Sequence, residues 1–109
     1  MILMFDVITL AIIQEIVNKN QERIEEETMM TVQAIPQSVS RQQRNLYGER
    51  GMGRALRFKI SLLGDYYQED IPYFYHRNIK YATQDLIKDV TGSSYFIEGA
   101  TVRGTRGTV

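Results

Sequence analysis

The chain has no cysteine, one histidine, no surplus of either charge and no long apolar run. Each shortage removes a class of function. Without cysteine there is no disulfide framework, no thiolate-bound zinc and no thiol nucleophile. His76, the lone histidine, cannot build a histidine-rich metal site and is expected to be a hairpin residue. Thirteen basic residues balance thirteen acidic ones. A general nucleic-acid binder needs an excess of Lys and Arg to displace counterions. No apolar stretch approaches the roughly 20 residues of a membrane-spanning helix. Met1–Met4 is apolar, but no basic segment precedes it and Asp6 follows, so it makes a poor secretion signal. The expectation is no membrane, no metal and no cofactor.

Catalytic patterns are also missing. Ser38, Ser40 and Ser61 lack the strand–turn–helix setting of a nucleophile. Glu69-Asp70 is an adjacent pair in an expected loop, whereas glycosidic chemistry needs two acids across a cleft. Gly48, Gly51 and Gly53 are not followed by the Lys-Ser/Thr of a phosphate loop. The segment Gly48–Arg54 is therefore expected to be a glycine-rich connector, and the protein is expected not to be an enzyme.

What is present is a series of strand signals around one helix signal. At 109 residues the chain is one domain. Phe5–Val17 is apolar on both faces when read with period two; a helix would also align Ile8, Ile12, Ile13 and Ile16, but the β-branched density favours a strand. Asn18–Gln21 is a turn, with Asn suited to positive φ. Glu25-Glu26-Glu27 is expected in a solvated hairpin tip or a short helical detour, or as an acidic surface that meets a basic neighbour. From Thr28 the pattern is β-like, with Met30, Val32 and Ala34 on one face, and Pro36 ends it. Ser40 with Gln43 has the spacing of a capping box, predicting a helix over 40–47 stopped by Gly48.

Leu56, Phe58, Ile60 and Leu62 alternate with Arg57, Lys59 and Ser61, the clearest strand of the chain. Tyr73–Tyr81 reads as a tight hairpin, with Arg77-Asn78 or a neighbouring pair in the turn. Its second arm runs to about Val90, with a break at Gln84-Asp85. A closing strand covers Tyr95–Val102, with Tyr95, Ile97 and Gly99 opposite Phe96 and Glu98. Residues 103–109 are expected to form a mobile tail. The pattern predicts a mainly β fold: a small five- to six-stranded barrel or roll over 1–102, one short helix, and a projecting polar excursion over 37–54. The tyrosines Tyr66, Tyr67, Tyr73 and Tyr75 are candidate interface residues, since aromatic side chains favour protein contacts. Aromatic residues in small β-domains are most often core, and stacking on single-stranded bases, as in an OB-like module, is a third use, for which Arg57, Lys59, Arg77 and Lys80 supply a thin basic accompaniment.

Four segments resemble the head-closure (stopper) and head–tail connector proteins of long-tailed bacteriophages. They are Asp6–Leu10, Thr31–Gln37, Tyr75–Tyr81 and Tyr95–Gly99, with agreement in spacing across nearly the whole chain. The resemblance implies a β-barrel that assembles with itself into a ring, a hexamer or dodecamer, at the neck of the virion. Portal or adaptor and tail proteins would be its partners. It also implies that the loop after the second strand projects into the channel. There Arg41, Arg44, Arg50 and Arg54 would touch double-stranded DNA without reading sequence. A tail-completion role is a neighbouring possibility within the same group.

Overall fold

The β-branched stretches become long antiparallel strands, and their number and order decide the architecture. A computed structural model describes residues 6–90 and 93–102. The strands are β1 (Asp6–Val17), β2 (Arg23–Gln37), β3 (Met52–Ser61), β4 (Tyr73–His76), β5 (Ile79–Lys88) and β6 (Ser94–Val102). One helix, α1 (Arg41–Glu49), lies between β2 and β3, and a 3-10 turn covers Gln68–Asp70. The strands close into a barrel in the order β1-β2-β3-β6-β5-β4, every pairing antiparallel. The apolar run at the start of the chain is thus a strand and not a helix. The terminal tail 103–109, the segment Met1–Phe5 and the Thr91-Gly92 part of the last turn lie outside the described residues.

Alternation fills the barrel. Ile8, Leu10, Ile12, Phe58, Ile60, Phe74, Tyr81, Tyr95 and Ile97 point inward and are buried. Each such side chain contributes roughly 1.5–3 kcal/mol by leaving water. Phe74 and Tyr81 stack with centroids 5.4 Å apart, and Phe58 meets Phe74 edge-on at 6.1 Å. At Gly99 the wall lies close against this stack. A Cβ there would lie 2.8 Å from Phe74 Cζ and 2.9 Å from the Ala82 carbonyl oxygen. The break expected at Gln84-Asp85 is a bulge, with the β5–β6 register shifting between Thr83 and Asp85. Arg77 and Asn78 both take positive φ, as a two-residue hairpin of the type I′ kind requires.

Several local expectations are corrected. Glu25-Glu26-Glu27 is neither tip nor detour; it lies inside β2, opposite Ile13, Gln14 and Glu15. The positive φ of the first turn falls on Gln21, while Asn18 serves through its side chain, whose Oδ1 accepts from the Asn20 and Glu22 amides at 2.9 Å. Pro36 does not end β2, which runs one residue further; strands tolerate Pro where no ladder donor is needed. Gly48 does not stop α1. The helix continues to Glu49, and the left-handed residue is Gly51, at φ 77°. The expected glycine-rich connector is correspondingly short, because Met52, Gly53 and Arg54 already belong to β3.

Candidate assembly surfaces

Two features depart from a plain barrel, and they sit at its opposite ends. The first is the far half of the β1–β2 hairpin. β1 pairs with β4 only over Thr9–Ala11, and β2 pairs with β3 only over Ala34–Gln37. Beyond those contacts six residue pairs, from Ile12↔Thr28 to Val17↔Arg23, continue as a two-stranded ribbon with both outer edges open. At about 3.3 Å per residue it reaches roughly 20 Å past the barrel wall. Its root is braced from β4: the Tyr73 hydroxyl donates to Glu27 Oε1 at 2.6 Å. That bond to a carboxylate, followed by partial burial, pushes the Tyr73 hydroxyl up to about 12. Near the tip Arg23 Nε lies 3.5 Å from Glu15 Oε1, a solvent-exposed pair.

The second feature is α1. Ser40 Oγ accepts from the Gln43 amide at 3.1 Å, the helix cap that the Ser40/Gln43 spacing predicts. Most of the helix circumference is polar and exposed, as its sequence indicates. It is nevertheless anchored. Val39 and Tyr47 bury themselves against Ala100, with Met52 and Ala55 alongside. The Tyr47 hydroxyl donates to Glu98 Oε2, and Arg57 Nη1 lies 3.4 Å from Glu98 Oε1. Glu98 is only 4% exposed. Burial first, and then the bond to Glu98, raise the Tyr47 hydroxyl far above the usual tyrosine range. The excursion over 37–54 is therefore fastened to the outside of β3 and β6, and the projecting element is the β1–β2 ribbon.

The sequence pattern placed Glu98 on the outer face of β6 but gave no sign of its burial. That burial depends on Tyr47, 51 residues away. A hydroxyl on the buried side of a short amphipathic helix is the one signal that could have indicated it.

Arg41 and Arg44 stand one turn apart on α1. Arg50 caps its C-terminus beside Gln84 and Asp85, and Arg54 lies on β3, its amide donating to Thr101 Oγ1 at 2.9 Å. All four arginines are exposed, and none forms an ion pair with a described residue. The candidate tyrosines divide. Tyr66 packs edge-on against Tyr95, whose hydroxyl accepts from the Tyr66 amide and donates to the Gly64 carbonyl at 2.7 Å. Tyr67 is 67% exposed. Tyr73 and Tyr75 share the outer face of β4 with centroids 6.0 Å apart, and Lys80 Nζ lies 4.0 Å from the Tyr73 ring centre. Tyr66 thus fastens a loop, Tyr73 braces the ribbon, and Tyr67 is the most open of the four.

Chain direction separates the charges. β1 runs from the α1 end of the barrel toward the ribbon tip and β2 returns. Residues 12–28 carry Glu15, Glu22, Glu25, Glu26 and Glu27 against Lys19 and Arg23, a net charge of −3. Residues 41–54 carry four arginines against Glu49, a net charge of +3. The formally neutral chain is acidic at one end and basic at the other. Such separation acts on orientation and encounter more than on fold.

Among the described residues no group of three His, Cys, Asp or Glu could hold a metal ion. His76 Nε2 lies 2.6 Å from Asp6 Oδ2, with Arg77 Nη2 3.6 Å from the same oxygen. His76 is also set against the rings of Phe58 and Tyr81. This arrangement clamps the start of β1 to the β4–β5 turn. No described hydroxyl is hydrogen-bonded to the imidazole. Among the described residues no helix is long and apolar enough to cross a membrane. Compared with known proteins, the chain matches no family model, no curated protein and no solved structure.

Proposed function

We propose that this protein is a structural, non-enzymatic component of the neck of a long-tailed phage: a head-closure or adaptor ring between the DNA-filled portal and the tail. The observation that carries this reading is the pairing of a closed barrel with a 20 Å-scale projecting ribbon whose two edges are open. A two-stranded ribbon is marginal in water by itself. Natural sheets cover or blunt such edges, so an element of this kind fits a protein whose final state is an assembly. The basic end supports the DNA-facing part of the reading. Arg41, Arg44, Arg50 and Arg54, which form no ion pair with a described residue, offer guanidinium groups to phosphates, a contact that needs no sequence readout. The partners are further copies of the chain, the portal or adaptor, and the tail, and the place of action is the virion.

The test is imaging by negative-stain electron microscopy after mixing the purified protein with portal or tail assemblies of its own phage. Rings seated on either are the expected result. A protein that binds neither contradicts the reading. Single-stranded nucleic-acid binding is the competing function, and a fluorescence titration at two salt concentrations separates the two. Tight, salt-sensitive binding of single strands in preference to duplex would favour the OB-like alternative.

A further inference from the structure

We propose that the β1–β2 ribbon of one copy docks on the outer face of the β3–β6–β5 sheet of a second copy. Near the tip, Ile16 and Ile24 face each other across the ribbon, partly exposed, with the Gln14–Glu26 pair beside them on the same side. Among the described residues no third strand pairs with the ribbon here. Ribbon-to-ribbon contact is disfavoured, because it would bring together two elements that each carry five carboxylates. The ribbon needs a surface that is both apolar and cationic.

Two basic surfaces stand out among the described residues, and only one of them is apolar. On α1 the exposed side chains are polar apart from Leu46. On the sheet, by contrast, a transverse row runs Ile35–Lys59–Phe96–Ile87 across β2, β3, β6 and β5. Ile35 and Ile87 stand nearly half exposed at its two ends. Between them Lys59 Nζ lies 5.8 Å and the Arg57 guanidinium 5.1 Å from the centre of the Phe96 ring. Lys59 has no ion pair with a described residue. The row spans three strand spacings, roughly 14 Å, enough to seat a ribbon two strands wide. An isoleucine pair with a flanking carboxylate meets an isoleucine–phenylalanine row with a central ammonium.

The contact joins two different faces, so it is heterologous, and repetition closes a ring or extends a filament. It leaves Arg41 and Arg44 on α1 free for phosphates. It deepens the neck reading and rests on it only for closure into a ring.

Absence of cysteine makes the test clean. Ile24→Cys and Ile87→Cys are placed singly and together, and purified protein is treated with a short bis-maleimide. The double variant is expected to give a ladder of dimers, trimers and higher species. The mixed single variants are expected to stop at dimers, and each single variant alone to stay monomeric. A control pairs Ile24→Cys with Val90→Cys, a fully exposed position off the row. A control that ladders as fast as the Ile24/Ile87 pair overturns the proposal. So do dimers from Ile24→Cys alone, or no ladder from the double variant. A cysteine-free check uses sedimentation velocity. Glu26→Lys and Lys59→Glu should each weaken self-association about fivefold, and mixing the two should recover it. Unchanged association in both single variants counts against the contact. A ladder from a protein that binds neither portal nor tail keeps this contact and removes the neck role. Binding to portal or tail without a ladder does the reverse.

Discussion

The barrel wall and the ribbon are made from the same two strands, yet they obey different rules. Where β1 lies between β2 and β4, and for one residue to either side, Ile8, Leu10, Ala11 and Ile12 are buried. A few residues on, with the same β-branched composition and the same partner strand, Ile16 is partly exposed and Val17 is 64% exposed. Propensity supports extended backbone in both places. Burial is supplied where a third strand arrives and for one residue beyond it. Stability therefore belongs to the wall, and the apolar surface left over on the ribbon is available for association.

Breaking the wall should have the largest effect. Gly99→Ala drives a methyl into the Phe74 ring and the Ala82 carbonyl, and should destabilise the fold by about 3 kcal/mol in a denaturant titration. Adding Phe74→Leu should return part of that loss, because it is the ring edge that the new methyl meets. Gly99→Ala with a wild-type midpoint would mean the wall is looser than described.

The docked helix should come second. Tyr47→Phe removes the hydroxyl from Glu98, leaving a buried carboxylate with Arg57 alone, at a cost of about 2 kcal/mol. Limited proteolysis should then cut more readily within 37–51, with the barrel intact. Equal protection in the variant would show that Val39 and Tyr47 packing alone holds α1.

At the ribbon the expected change in stability is smallest. Ile16→Thr with Ile24→Thr should shift the unfolding free energy by no more than about 0.5 kcal/mol, as for surface positions generally, while weakening assembly. A large loss of stability with unchanged assembly would reverse the roles given to ribbon and wall.

Acid sharpens the same contrast at the barrel's other end. The His76 hydrogen bond, then the Val7 amide, holds the Asp6 carboxyl below its ordinary value of 3.8. The folded state thus binds that proton less readily than the unfolded chain. The stabilisation is complete above the ordinary Asp range and disappears as pH falls through the lowered value. Asp6→Asn should flatten the stability–pH curve below about pH 4. An unaltered acid limb would exclude Asp6 as a contributor.

Much of this was legible in the residues. Period-two alternation at Leu56–Leu62 located β3, Arg77-Asn78 located the tight hairpin, and Ser40 with Gln43 located the helix start. These signals are local, since the residues that form the element also announce it. Partnership was not legible. Ile8 and Ile16 look alike in sequence, and only the point where β4 stops pairing makes one core and the other surface. Likewise the acidic run looks like a solvated tip until the register places Glu27 beneath the Tyr73 hydroxyl. The buried Glu98 depends on a helix that must first dock. Long-range pairing decided each of these.

Hydrogen–deuterium exchange across the β1–β2 hairpin, read first on the monomer and then on the assembled ring, is the most direct test that the wall holds the fold and the ribbon makes the assembly. The account predicts slow exchange at the β1 amides over 9–11 and the β2 amides of Ala34 and Ile35 in both states. Over 13–17 and 23–27 it predicts fast exchange in the monomer and protection in the ring. Ribbon amides as slow as the wall in the monomer, or still fast in the ring, would contradict it.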